Sequence, residues 1–153
     1  VQIEIAIEIN APISAVWEVF GERFVDIYQW ATSVDKSIID RPVGEGAVRT
    51  CDIKKVGPVP AGQVTEKVTL FDSEKYALTY LVMSGVPGFM RRIENAWTFE
   101  KLGTDKTRAT SLLTVDIAWY MLPMAFVVKQ GLKKSVGNFI QELATHVETV
   151  SKK

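Results

Sequence analysis

At 153 residues, 47% of them hydrophobic, the chain is long enough to bury a sizeable core and short enough for one domain spanning 1–153. Eighteen Lys and Arg balance eighteen Asp and Glu, and this neutrality, with no basic run, predicts no electrostatic footprint for nucleic acid or an anionic membrane. A lone Cys51 excludes an internal disulfide, and one Cys with one His cannot build the usual zinc site, so no metal and no cofactor are expected. The unpaired cysteine fits a reducing, cytoplasmic setting. No apolar run approaches the roughly 20 residues of a membrane span, and no signal-peptide pattern stands at the start.

The opening stretch, VQIEIAIEIN, alternates with period two: Val1, Ile3, Ile5, Ile7 and Ile9 on one face, Gln2, Glu4 and Glu8 on the other. That pattern predicts a half-buried antiparallel strand. Asn10 and Pro12 then start a helix over PISAVWEVF that ends near Gly21. FVDIYQWA reads as a second short helix with Phe24, Ile27, Tyr28 and Trp30 as its large residues, and VDKSIIDRP as a strand closed by Pro42 and Gly44. Strands at 46–55, 62–71, 75–84, 91–102 and 106–118 follow, joined by short turns, as in an antiparallel meander. From Pro123 to Val150 the spacing becomes helical, with Val128, Leu132, Val136, Phe139, Leu143, Val147 and Val150 on one stripe. The order predicts an α+β fold, a curved sheet of about seven strands whose apolar face only the terminal helix can cover. A sheet wrapped around a helix can leave a concave apolar site between them.

The stretch VRTCDIKKVGPVPAGQVTEKV, Val48 to Val68, bears on what that site contains. Read as two strands about a Pro/Gly turn, it turns Ala47, Cys51, Ile53, Val64, Val68 and Leu70 inward, together with Arg49 and Glu66. A turn centred between Gly57 and Pro58 sets Arg49 opposite Glu66 and Cys51 opposite Val64, close enough for a salt bridge. Such a pair is either a structural tie between strands or a polar anchor for a ligand, and both readings stand. On later strands Tyr76, Leu78, Tyr80 and Val82 share the inward face, then Ile93, Asn95, Trp97 and Phe99, then Ala109, Ser111, Leu113, Val115, Ile117 and Trp119. The expected ligand-binding set is Trp30, Arg49, Glu66, Tyr80, Asn95, Trp97, Ser111 and Leu113, with Val128 and Leu132 from the helix.

Three connections are rich in Pro and Gly: VGPVPAG at 56–62, SGVPGF at 84–89 and WYMLPM at 119–124. In a meander they fall at one end of the sheet, which predicts a cavity mouth rimmed by Pro60, Val86, Pro87, Phe89 and Met121. The only histidine, His146, sits beside Leu143 and Val150 as a packed or partly exposed residue, and Cys51 faces the core as an inert thiol. Lys129, Lys133 and Lys134 read as a solvated helix face.

The opening strand with INAPISAVWEVF, then GEGAVRT, GQVTEKVTLFD, KYALTYLVMSGVPGF and the strand from Thr107 to Asp116, resembles the START-like, or SRPBCC, superfamily. That is the birch-pollen-allergen-like helix-grip fold, and the segments are similar to its polyketide cyclase/dehydrase-type group of small bacterial proteins. The resemblance implies an internal cavity for a small hydrophobic molecule: a lipid, a polyketide or an aromatic metabolite. It also implies an alternative, a cyclase, aromatase or dehydratase, in which Glu66 serves as base and Arg49 or Tyr80 stabilises an enolate. A third class within the superfamily is the interaction module, a chaperone cofactor or quinone-binding partner. Plant hormone receptors of the superfamily gate their cavities with Pro-bearing loops, to which VGPVPAG is similar. A homodimer stays open.

Overall fold

In a computed structural model that describes residues 1–152, the strands β1 (Gln2–Ile9), β2 (Val34–Ile39), β3 (Val48–Ile53), β4 (Gly62–Asp72), β5 (Ala77–Ser84), β6 (Met90–Gly103) and β7 (Lys106–Ile117) form one antiparallel sheet. Its order is β1-β7-β6-β5-β4-β3-β2, so every neighbouring pair except β1–β7 is consecutive in sequence. The connection from β1 to β2 must cross between the two edges. It does so through α1 (Ile13–Trp17), a π turn (Glu18–Glu22) and a 3-10 segment (Phe24–Gln29). The long helix α2 (Ala125–Ser151) lies against the sheet and buries Val128, Leu132, Val136, Ile140, Leu143, Ala144 and Val147. This is the helix-grip architecture. No helix among the described residues is long and apolar enough to cross a membrane.

The β3–β4 register is the one the turn centre predicts: Arg49 pairs with Glu66 and Cys51 with Val64. Two inward assignments fail for local reasons. Leu70 is exposed, because a register shift between Val68 and Leu70 reverses the alternation and gives the inward position to Phe71. Phe71 packs its ring 5.3 Å from that of Trp17. Trp119 is exposed because β7 stops at Ile117, the Ala118 N–H donates to the Phe89 carbonyl at 2.8 Å, and the chain winds into a 3-10 turn over Trp119–Met124. Likewise Val150 leaves the helix stripe for solvent, while Ile140 and Ala144 join it.

The concave side fills unevenly. Toward one end Trp17, Phe20, Phe24, Trp30, Trp97 and Phe99 form a cluster of rings against Ile140, Leu143 and Val147. Phe20 and Trp97 lie 4.5 Å apart and Trp30 and Phe139 4.7 Å apart, so this half is closed by large side chains. Gly21 permits it: a Cβ there would stand 2.7 Å from Trp17 Cε2. Toward the other end the core consists of Ile3, Val59, Val64, Met90, Ile93, Leu113, Val115, Val128, Leu132 and Val136. These aliphatic side chains do not span the width between sheet and helix, and a space remains where the two clusters meet.

Candidate ligand cavity

That space is a cavity of about 180 Å³. Its wall takes Ile27, Ser33 and Val34 from the edge, Cys51, Val64, Glu66, Tyr80, Val82, Ile93, Asn95 and Leu113 from the sheet, and Leu132, Ser135, Val136 and Phe139 from α2. Val56, Val59 and Val86 come from the turns at 56–62 and 84–89. The wall is overwhelmingly apolar, with Glu66, Tyr80 and Asn95 as its buried polar exceptions.

Of the residues the sequence points to, Glu66, Tyr80, Asn95, Leu113 and Leu132 reach the wall. The others stand behind it. Trp97 is fully buried between Phe20 and Phe99, Trp30 packs against Phe20 and Phe139, and Val128 lies one turn beyond Leu132 in the aliphatic cluster. Ser111 is buried beneath Asn95, to which it donates a hydrogen bond. Of the expected rim, Val86 alone touches the cavity. Pro60 is exposed beyond the Val56–Val59 bridge, and Phe89 folds back on the aliphatic cluster. The Pro87 carbonyl closes a turn onto Met90 N–H, and Met121 is held in the 3-10 turn by its N–H to Ala118. The turns themselves do share one end of the molecule, since Gly57 packs on Gly131 of α2 and the backbone of Phe89 bonds to Ala118.

Sequence reasoning overlooked Ile27, which sits in an aperiodic 3-10 segment where no face can be read, and Ser33 and Val34, which stand where the turn after it enters β2. It also took Val136 and Phe139 only as core, although the step from Leu132 to Val136 along one helix face is a signal that could have found them.

Arg49 has withdrawn from the cavity. Its Nε donates to Glu66 Oε1 at 2.9 Å, its Nη2 lies 2.7 Å from the same oxygen, and its Nη1 donates to the Phe24 carbonyl at 2.8 Å. The guanidinium carbon stands 3.6 Å over the Phe24 ring and 5.6 Å from the Tyr80 ring, the two rings lying 6.0 Å apart on adjacent sides of it. At 2% exposure it offers a ligand no N–H. Burial is the largest single effect and works against its charge, yet the Glu66 carboxylate, Cys51 and Tyr80 together outweigh burial and hold its pKa above the usual arginine value. The pair therefore ties β3 to β4 and, through Phe24, to the segment that crosses between the sheet edges.

The polar side chains on the wall are ordered by a chain of donors. Ser111 Oγ donates to Asn95 Oδ1 at 2.7 Å, which turns Asn95 Nδ2 toward the Tyr80 hydroxyl at 3.4 Å. Tyr80 thus accepts from Asn95, and its own proton has no acceptor among the described residues. Trp97 lies beside the phenol, but its Nε1–H finds no partner among the described residues. Burial, reinforced by the Glu66 charge, raises the Tyr80 pKa well above that of a free phenol, so it stays a donor at any physiological pH. Glu66 gathers Arg49 and the Cys51 thiol, at 3.6 Å, on Oε1. Its Oε2 accepts no hydrogen bond among the described residues. Burial pushes the Cys51 thiol up to about 12, which makes it a packing group rather than a nucleophile. His146 lies apart, in a polar surface groove with Gln29, Asn138 and Glu142, its pKa lowered by partial burial.

A sequence pattern describing polyketide cyclase / dehydrase and lipid transport proteins matches residues 1–148. The chain belongs to that family. No curated protein is similar enough in sequence to count as a match. Solved structures of the same fold include TTHA0849 from Thermus thermophilus, at 17% identity over 99% of both chains with a TM-score of 0.78. XoxI from Bacillus cereus follows at 12% identity over 99% of this chain and 96% of that one, TM-score 0.72. Ara h 8.0201 is 15% identical over 97% and 98% of the two chains, TM-score 0.75. At such identities the likeness is one of fold, and what the polyketide cyclase / dehydrase and lipid transport fold does in this chain depends on the cavity.

Proposed function

We propose that the chain binds a small, neutral, largely apolar molecule carrying a hydroxyl or enol in the cavity between sheet and helix. One observation carries this: the unsatisfied Tyr80 proton and the unsatisfied Glu66 Oε2 belong to the same apolar wall. A hydroxyl answers both, since it accepts from Tyr80 and donates to Glu66. A carboxylate does not, because it meets the Glu66 charge while Arg49 is sealed behind rings. Size narrows the class further. Pockets for drug-sized ligands run to roughly 300–1,000 Å³. An apolar cavity of about 150 Å³ takes benzene. At about 180 Å³ the site suits a single-ring ligand such as a substituted phenol, and a full lipid chain requires the wall to move.

The same two groups favour a second reading, a cyclase-type enzyme. Glu66 would take the proton α to a ketone while Tyr80 donates to the oxygen that becomes the enolate. Arg49 is no part of that pair.

Calorimetric titration tests the proposal. p-Cresol should bind at ~10 μM to 1 mM, about 4–7 kcal/mol, with toluene weaker and benzoate undetectable. Tyr80→Phe should weaken p-cresol about five- to tenfold and leave toluene unchanged, the effect of one hydrogen bond. Equal affinity for all three compounds, or none for any, contradicts the reading.

A further inference from the structure

Trp119, Tyr120, Leu122, Met124, Phe126 and Val127 are all exposed, from 47% for Met124 to 76% for Trp119. Six large apolar side chains within nine consecutive residues form a patch of the kind that marks a docking surface rather than ordinary exposed hydrophobics. The charges around it are unevenly shared. The segments 54–61, 85–92 and 117–134, which the fold gathers at this end, contain seven basic residues and no Asp or Glu: Lys54 and Lys55, Arg91 and Arg92, and Lys129, Lys133 and Lys134. Since the whole chain balances eighteen against eighteen, the rest holds eleven basic residues against eighteen acidic. Lys54 pairs with Asp35 and Arg92 with Glu94, whereas the other five form no ion pair among the described residues. The strand register also brings Asp35, Asp52, Glu94 and Asp116 to this end, so seven basic residues meet four acidic ones there, and a net charge of zero conceals a basic excess at this end.

From this arrangement we infer that this end of the molecule docks on an anionic lipid surface, with the 119–127 side chains entering the interface and the surrounding Lys and Arg meeting the headgroups. Trp and Tyr at the patch and Lys and Arg around it are the composition that such an interface selects. A second copy of the chain fits less well. A two-fold dimer sets the same patch against itself and brings two basic rims together. The inference goes beyond the cavity reading and stands without it.

Sedimentation of the full chain with vesicles tests it. Vesicles of equimolar phosphatidylglycerol and phosphatidylcholine should bind the protein, with at least about tenfold weaker binding to phosphatidylcholine alone or in about 0.5 M salt. Trp17, Trp30 and Trp97 are buried, so lipid-borne quenchers should act on Trp119 alone. Trp119→Ser with Phe126→Ser, and separately Lys133→Glu with Lys134→Glu, should each weaken binding about tenfold or more without moving the melting curve, because all four side chains are exposed. Absence of vesicle binding, equal binding to both lipid mixtures, or wild-type binding by either double variant overturns the inference. A micromolar dimer that Trp119→Ser with Phe126→Ser dissolves also overturns it, and assigns the patch to a second copy.

Discussion

Arg49→Ala lowers folding stability by about 3–5 kcal/mol, because it leaves the Glu66 carboxylate buried without its partner. The Phe24 carbonyl loses its donor in the same step. Arg49→Met with Glu66→Leu removes both charges and keeps most of the volume, leaving that carbonyl and the weak Cys51 S–H donor unpaired, at a cost of about 1–2 kcal/mol. The double variant should also lose the part of the preference for p-cresol over toluene that Glu66 Oε2 supplies, while Tyr80 keeps the rest. Thermal melts and titrations of both variants check this. A single variant as stable as wild type shows that the ion pair does not hold the sheet to the 24–29 segment.

Gly85→Ala should be nearly as damaging, although position 85 is on the surface. Its φ of +93° lies in the region that only glycine enters freely, and a Cβ there would collide with the Gln63 carbonyl oxygen and stand 2.8 Å from Val64 Cα. Both obstacles are backbone, so the turn at 84–89 has to lift away from β4. Left-handed strain and overpacking together amount to about 2–5 kcal/mol. Val86 follows the turn, so the cavity wall opens and p-cresol affinity falls with stability. A melting midpoint within about 2 °C of wild type would show that the turn does not press on β4.

What the residues reveal in advance is whatever a regular period carries. Four isoleucines, Ile3, Ile5, Ile7 and Ile9, define β1, and one Pro/Gly turn suffices to place Arg49 opposite Glu66. Sequence pattern misses what breaks the period. The shift after Val68 exposes Leu70, and the early end of β7 frees Trp119. Facing inward is also not the same as reaching the cavity. Trp97, Ser111 and Arg49 all point to the concave side, but the rings of Phe20, Phe24 and Phe99 and the amide of Asn95 stand against them. Total charge misleads for a similar reason. The basic residues at 54–55, 91–92 and 129–134 are distant in sequence, and only the alternation of hairpin ends brings them together.

Methyl spectra of the labelled protein during p-cresol titration put the cavity to the most direct test. Binding in the site moves the resonances of Val34, Val64, Leu113, Leu132 and Val136, which line it, and leaves those of Val16 and Val147, packed in the closed aromatic half, in place. Shifts confined to Leu122, Met124 and Val127 on the exposed patch, or spread evenly over the molecule, contradict a ligand cavity between sheet and helix.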